Sequence, residues 1–201
     1  MAMYYIEVGT CDFDTLTQEH MNNHNVYGIA LEPITKCFNL LPKRKNTFYE
    51  NSALVTSNKT EIDFYTIDND RLLSHPDNYW LRAISSSNKN HPDVVHNKEL
   101  LWDSYKKIKV KAINFKNLLK KYNFYYQCDI IKLDTEGMDG ELLLDIYKYY
   151  QENNPKLFPK TILFEHKHLN SEIKNEIANV FKCKYTMKFK GIDVELNLIL
   201  D

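Results

Sequence analysis

The stretch from Tyr4 to Asp14 constrains the fold more than any other part of the chain. Tyr4 to Val8 is a short, almost wholly apolar run that stops at Gly9, and a polar turn and a helical pattern follow. A run this short and this apolar fits a strand buried on both faces, as in a parallel sheet. Such a strand delivers its carboxyl end to the crevice where open α/β sheets bind their ligands. Glu7 is the exception within it. A carboxylate buried there without a partner costs on the order of several kcal/mol or takes a raised pKa. Glu7 is therefore expected either to accept backbone amides of the next loop or, with the Gly9 turn, to hold a small molecule.

The turn itself narrows the ligand. Thr15 and Gln18 have the spacing of a capping box, so a helix is expected from Thr15 to about His20, with Asp12 and Asp14 at its entrance. A dinucleotide fold would place G-x-G-x-x-G here to let a pyrophosphate approach the helix N-terminus. This loop has only Gly9, with Cys11, Asp12, Phe13 and Asp14 where small neutral residues would be needed. Phosphates would be repelled by Glu7, Asp12 and Asp14, and an ammonium or sulfonium attracted. The second apolar run, Val26 to Leu31, ends at Glu32-Pro33. An acidic residue there, roughly 20 residues beyond the first glycine, is placed to accept both hydroxyls of a ribose.

Further along, Thr35 to Leu41 reads as a short helix stopped by Pro42. Thr47 to Val55 reads as a third strand turning at Asn51, Ser52 and Ala53, small and amide residues that suit the edge of a purine. Glu61 to Ile67 alternates. Residues 68–107 form the least regular part, including Leu72, Leu73, Tyr79 and Trp80, and within it 68–102 has few apolar residues to anchor it. Long irregular stretches inside compact domains are commonly functional lids, and an acceptor-side lid is expected here, with His91 or His96 as candidate catalytic groups. Ile108 to Ile113 alternates as a half-exposed strand, and Asn114 to Tyr122 has the spacing of an amphipathic helix. Cys128 to Gly137 gives a fourth central strand that carries Lys132 and ends in Asp134 and Glu136, before a helix from Asp139 to Tyr150. Lys132, Asp134 and Glu136 share strand period, so they face one side, either as a buried ion-pair group or as part of a site beside the end of the first strand.

The last third predicts a fifth strand at Lys160 to Glu165, a helix from Ser171 to Phe181, and a hairpin turning at Lys190-Gly191 between strands at 184–189 and 193–200. Glu165, His166 and His168 have a superficial metal-site look. They lack a second ligand cluster at recognisable spacing, so no metal is expected.

Composition bounds the rest. With 201 residues and 43% apolar content, a single domain over 1–201 is expected. A net charge of −1, with no basic run beyond Lys43 to Lys45 and Lys106-Lys107, points away from nucleic acid and membrane partners. Four cysteines without a C-x-x-C pair suggest reduced thiols and a cytoplasmic location. A first strand starting this near the N-terminus leaves no room for a targeting segment, and no 18-residue apolar span occurs.

These residues together resemble one family. Glu7-Val-Gly9, Leu31-Glu32-Pro33, Ser52-Ala53, Leu118-Leu119, Ile131 to Gly137 and Leu163 to His166 are similar to the FkbM-like methyltransferases, and Lys132 to Leu142 looks like the family's K-I-D-V-E-G-x-E stretch. The resemblance covers nearly the whole chain and departs in the first loop, where the family has an Asn and a further Gly and this chain has Cys11 and Phe13. It implies a Rossmann-like class I methyltransferase fold, an α/β plan with a mostly parallel seven-stranded sheet and a C-terminal antiparallel hairpin. It also implies S-adenosyl-L-methionine as cofactor, bound by Glu7, Gly9, Cys11, Asp12, Glu32, Pro33, Ser52, Ala53 and Asp134. The implied reaction is methylation of a hydroxyl on a small-molecule acceptor such as a saccharide, with Asp134, Glu136 and His91 as candidate catalytic groups. Lys132 is expected to keep Asp134 ionised and Glu136 to orient it. A nicotinamide-dependent oxidoreductase is disfavoured by the missing glycines. A non-catalytic binding module is disfavoured by the retained Glu32 and the Asp134 and Glu136 pair.

Overall fold

The computed structural model describes residues 2–12, 15–68, 70 and 75–199; Phe13, Asp14, Leu72 and Leu73 lie outside them. Eleven strands follow one another among the described residues: β1 (Met3–Val8), β2 (Val26–Leu31), β3 (Thr47–Glu50), β4 (Ala53–Val55), β5 (Glu61–Ile67), β6 (Ser85–Ser86), β7 (Tyr105–Asn114), β8 (Ile130–Leu133), β9 (Thr161–Glu165), β10 (Tyr185–Lys190) and β11 (Asp193–Leu198). The helices are α1 (Thr15–Glu19), α2 (Thr35–Leu40), α3 (Pro92–His96), α4 (Lys98–Leu101), α5 (Phe115–Tyr122), α6 (Asp139–Asn153) and α7 (Ser171–Phe181).

Seven strands form one sheet in the order β10-β11-β9-β8-β1-β2-β3, in which β11 alone runs against its neighbours. This is the expected mostly parallel sheet with its C-terminal hairpin. β1 is central and buried from Tyr5 to Val8, and the strand order reverses beside it, which places the ligand crevice at its carboxyl end. The Tyr5 ring lies over Gly28, its cross-strand partner on β2; a Cβ there would come within 2.2 Å of the ring. The Tyr5 hydroxyl bonds to the hydroxyls of Thr17 and Thr47 and so ties α1 and β3 to this spot.

The main core joins strand residues Ile6, Ile29, Ile131 and Leu133 to Phe115 and Leu118 of α5, Leu142 and Ile146 of α6, and Phe181 of α7. Each such side chain fully buried is worth about 1.5–3 kcal/mol. Asn114 caps α5 by accepting from the Asn117 N–H at 2.8 Å, and the helix stops at Asn123 in the left-handed conformation. Asn170 caps α7 in the same way from Ile173 at 2.9 Å, one residue before the Ser171 at which the sequence pattern begins. The capping role expected of Thr15 falls on a side chain outside the described residues.

Two expectations need correction. The third strand is not continuous to Val55: β3 ends at Glu50, and Ala53 to Val55 joins a second sheet of order β4-β7-β5-β6. The Asn51 amide donates to the carbonyls of Glu32 (2.8 Å) and Pro33 (3.2 Å), and the Ser52 hydroxyl donates to Glu50 (2.7 Å), so the chain is pinned where it leaves the first sheet. The segment 68–102 is also better anchored than its composition suggests. Leu81, Ile84, Val94 and Leu101 are buried with Ile67 in a small core of their own, built on a 3-10 helix at Pro76–Arg82, the short β6, and α3 with α4. No helix among the described residues is long and apolar enough to cross a membrane.

Candidate functional site

A cleft lies at the carboxyl ends of β1, β2 and β8, the place where open α/β sheets bind their ligands. The first loop contributes Gly9 and Cys11, and the end of β2 contributes Glu32 and Pro33. Ser52, Ala53, Leu54 and Phe64 form a small and partly apolar wall, and Asp134, Thr135 and Glu136 come from the turn after β8. Of the residues singled out from the sequence, Gly9, Cys11, Glu32, Pro33, Ser52, Ala53, Asp134 and Glu136 therefore meet in one place.

Glu7, Asp12 and His91 are not among the lining residues. Glu7 is fully buried beneath the cleft. It stands opposite Lys132 in the β1–β8 register, accepts from Lys132 Nζ at 3.2 Å, and accepts from the Leu16 N–H of α1 at 3.1 Å. Its carboxylate thus fastens the strand, the helix and the neighbouring strand together. Gly9 has φ +83°, and a Cβ there would lie 1.8 Å from the Asp134 carbonyl oxygen. The glycine is needed because the first loop crosses the end of β8 at backbone contact, which also holds Asp134 against the cleft.

Glu32 is buried, and its two oxygens accept from the backbone N–H groups of Cys11 (2.6 Å) and Ile34 (2.7 Å). Burial raises its pKa, the nearby Cys37 adds to the rise, and the two N–H groups oppose it. Each oxygen keeps a second lone pair for a ribose hydroxyl. Thr10 Oγ1, in the same loop, is buried and has no hydrogen-bond partner among the described residues. Asp12 forms an ion pair with Arg82, which lines the cleft from the 3-10 helix. Asp12 and Glu7 are thus neutralised by Arg82 and Lys132, and the cleft's acidity comes instead from Glu32, Asp134 and Glu136. Nothing in the sequence pattern pointed to Arg82, which lies 70 residues from its partner.

Asp134 projects from the end of β8 with its side chain 45% exposed and Lys132 Nζ at 3.7 Å. Desolvation in the cleft, with repulsion from Asp139, Glu136 and Asp193, nevertheless pushes its pKa up to about 6. Lys132 pulls the other way, towards the ionised form, but is shared with the closer Glu7. Glu136 does not orient Asp134. It adopts φ +53° ahead of Gly137 at φ +114°, and its carboxylate turns to His91 Nε2 at 3.0 Å.

His91 is fully buried and caps α3, its Nδ1 accepting from the Asp93 N–H at 3.3 Å. His168, from the turn after β9, brings Nε2 within 3.8 Å of Asp93 and 3.9 Å of Glu136. Burial, then Lys167 and His91, lower its pKa. The second ligand cluster missing around His168 in the sequence is thus supplied by residues 32 to 77 positions away. His96 is exposed at the end of α3.

The strand order and the carboxylate at the end of β2 define a nucleoside-binding α/β domain of the class I methyltransferase plan. The methyltransferase FkbM domain matches residues 7–196, and the chain belongs to that family. Family membership assigns S-adenosylmethionine as the methyl donor. The cleft fits it on its own chemistry: free lone pairs on Glu32 for a ribose, an apolar wall at Leu54 and Phe64 for a base, and acidic groups for a sulfonium. No curated protein matches the chain. Among solved structures, the fibrillarin pre-rRNA processing protein of Methanococcus jannaschii is similar at 11% identity and TM-score 0.47, over 98% of this chain and 66% of that one. The N-terminal domain of human METTL16 in complex with SAH is similar at 13% identity and TM-score 0.43, over 100% of this chain and 63% of that one. The chain thus spans less than two thirds of the length of either.

Proposed function

We propose that this protein methylates a hydroxyl group of a small molecule, with a saccharide as the leading acceptor class. The observation that carries this reading is Asp134: a half-exposed carboxylate in the cleft, with its pKa raised to about 6. Near neutral pH it is ionised yet more basic than an ordinary carboxylate, which suits a general base worth about 10²–10⁴-fold in rate. Bound S-adenosylmethionine supplies an electrophilic methyl group on sulfur. Asp134 accepts the proton of the acceptor hydroxyl while the first loop and Glu32 hold the nucleoside. Ser52, Ala53 and Pro33 border the base, and Cys11 fixes the loop through its N–H to Glu32. Glu7 and Asp12 act one layer behind, through Lys132 and Arg82. The segment 68–102 is the acceptor-side lid of a single domain. We place the enzyme in the cytoplasm, on four cysteines that remain free thiols, with no nucleic-acid or membrane partner.

The test is single-turnover methyl transfer to a panel of saccharide hydroxyls, with an RNA oligonucleotide as the rival acceptor. Asp134→Asn should lose at least about 10²-fold in turnover while keeping its affinity for S-adenosylhomocysteine, and wild-type turnover should rise with pH through about 6. Transfer to RNA alone, or full turnover in Asp134→Asn, would overturn the proposal.

A further inference from the structure

We propose that His91, Asp93, Glu136 and His168 form a binding site for one divalent ion of the zinc class, which clips the inserted segment to the carboxyl ends of the central strands. Four potential ligand atoms, one from each residue, lie within 4.8 Å of one another. They come from three separate parts of the chain: the start of α3, the turn after β8 and the turn after β9. Ligands at about 2.0–2.2 Å around a tetrahedral ion stand about 3.3–3.6 Å apart. The contacts of 3.0, 3.8 and 3.9 Å straddle that spacing, so binding an ion needs modest side-chain adjustment.

The donor set decides the class of ion. Two imidazoles with two carboxylates favour zinc and its neighbours over magnesium or calcium, which take oxygen ligands. Four protein ligands close a tetrahedral shell, the mark of a structural site; a catalytic site keeps a position open. His91 is fully buried and the His168 side chain is 8% exposed, so two of the ligands are already held in a dry pocket. Lys167 lies 3.3 Å from Asp93, and a divalent ion would balance the two carboxylates more completely than that exposed ammonium.

One contact must change. With Nδ1 accepting from the Asp93 N–H, the His91 proton sits on Nε2 and faces Glu136. An ion at Nε2 moves that proton to Nδ1, and the cap contact to the Asp93 amide, already long at 3.3 Å, breaks. Ion binding therefore carries a local signature at Asp93, and His91 serves as a ligand and not as the catalytic base. None of this depends on the methyl acceptor, and the site is tested without cofactor or substrate.

The full chain, stripped with EDTA, is dialysed against zinc and analysed for bound metal. One zinc per chain is expected, with a raised thermal midpoint that EDTA reverses and magnesium does not reproduce. His168→Gln and Asp93→Asn should each lower zinc affinity by at least about tenfold. His166→Gln should leave it unchanged, since His166 bonds instead to the Gly191 carbonyl. In the wild-type chain the Asp93 amide resonance should shift on zinc addition, a readout that holds even if a variant folds poorly. Substoichiometric zinc in the wild type, equal affinity in the His168 and Asp93 variants, or an unmoved Asp93 amide would each overturn the site.

Discussion

Cys11 holds its backbone at φ +55°, in the left-handed region that costs an ordinary L residue about 1–2 kcal/mol and that Asn tolerates better. The Asn of the family pattern at this place thus has a conformational reason, and Cys11 keeps the same loop shape with a thiol packed 3.9 Å from Cys37. Cys11→Asn should unfold in denaturant at or above the wild-type midpoint, whereas the β-branched Cys11→Val should lose about 1–2 kcal/mol; equal midpoints for the two would remove strain as the explanation. Glu32 behaves differently from what its position alone suggests. The sequence marks it as a ribose ligand, but its oxygens also satisfy the buried amides of Cys11 and Ile34. Glu32→Ala should therefore lose about 1–3 kcal/mol of stability per orphaned amide as well as cofactor affinity. Glu32→Gln, which keeps one acceptor oxygen, should fold better while binding S-adenosylhomocysteine about tenfold or more weakly by calorimetry. Unchanged affinity in Glu32→Gln would leave Glu32 as a loop fastener only. Glu32 and Asp134 were legible because strand ends can be counted from apolar runs, whereas Arg82 was not, since no period links a 3-10 helix to Asp12.

Among the elements, the parallel strands were legible because burial on both faces writes a continuous apolar run into the chain. The second sheet was not, because Thr47 to Val55 reads as one strand turning at Asn51 to Ala53, and the passage from one sheet to the other there is made by side-chain hydrogen bonds to Glu32, Pro33 and Glu50. The small core of the inserted segment escaped notice for a related reason. Leu81, Ile84, Val94 and Leu101 are spread over a 3-10 helix, the turn after it and two short helices, too briefly in each for a helical or strand period to show. That core makes the proposed lid a folded unit, so its motion should be a hinged opening and not a melting of loose chain. Leu81→Ala, at a fully buried position, should cost about 2–5 kcal/mol locally. Hydrogen exchange should then speed up across residues 75–101 while the amides of β1 and β8 change far less. Equal acceleration in β1 would mean that the segment and the main sheet unfold as one.

On the scale of the whole molecule, a net charge of −1 hides an uneven distribution. Acids crowd the carboxyl edge of the central sheet: Asp134 and Glu136 after β8, Asp139 at the start of α6, and Glu165 at the end of β9. Glu165 shows the consequence, since burial together with repulsion from Glu136, Asp134 and Asp139 pushes its pKa from an ordinary 4.5 to about 8, against the pull of Lys167. A carboxyl whose pKa is raised by folding favours the native state while it is protonated. Its contribution is fully present below about 4.5 and is lost as pH rises to about 8, because over that window the native state binds the extra proton. Asp134, raised to about 6, acts with the same sign over a narrower window. Glu50 has the opposite sign. Burial would raise its pKa, but hydrogen bonds from Lys121, Ser52 and Tyr122 outweigh that and hold it low, so its contribution is lost only at more acidic pH. The two effects therefore separate on the pH axis. Glu165→Gln removes one ionisation without changing shape, so its thermal midpoint should match the wild type near pH 5 and exceed it increasingly towards pH 8. A difference between the two proteins that stays constant across that range would show that the acidic edge is relieved by solvent and carries no folding cost.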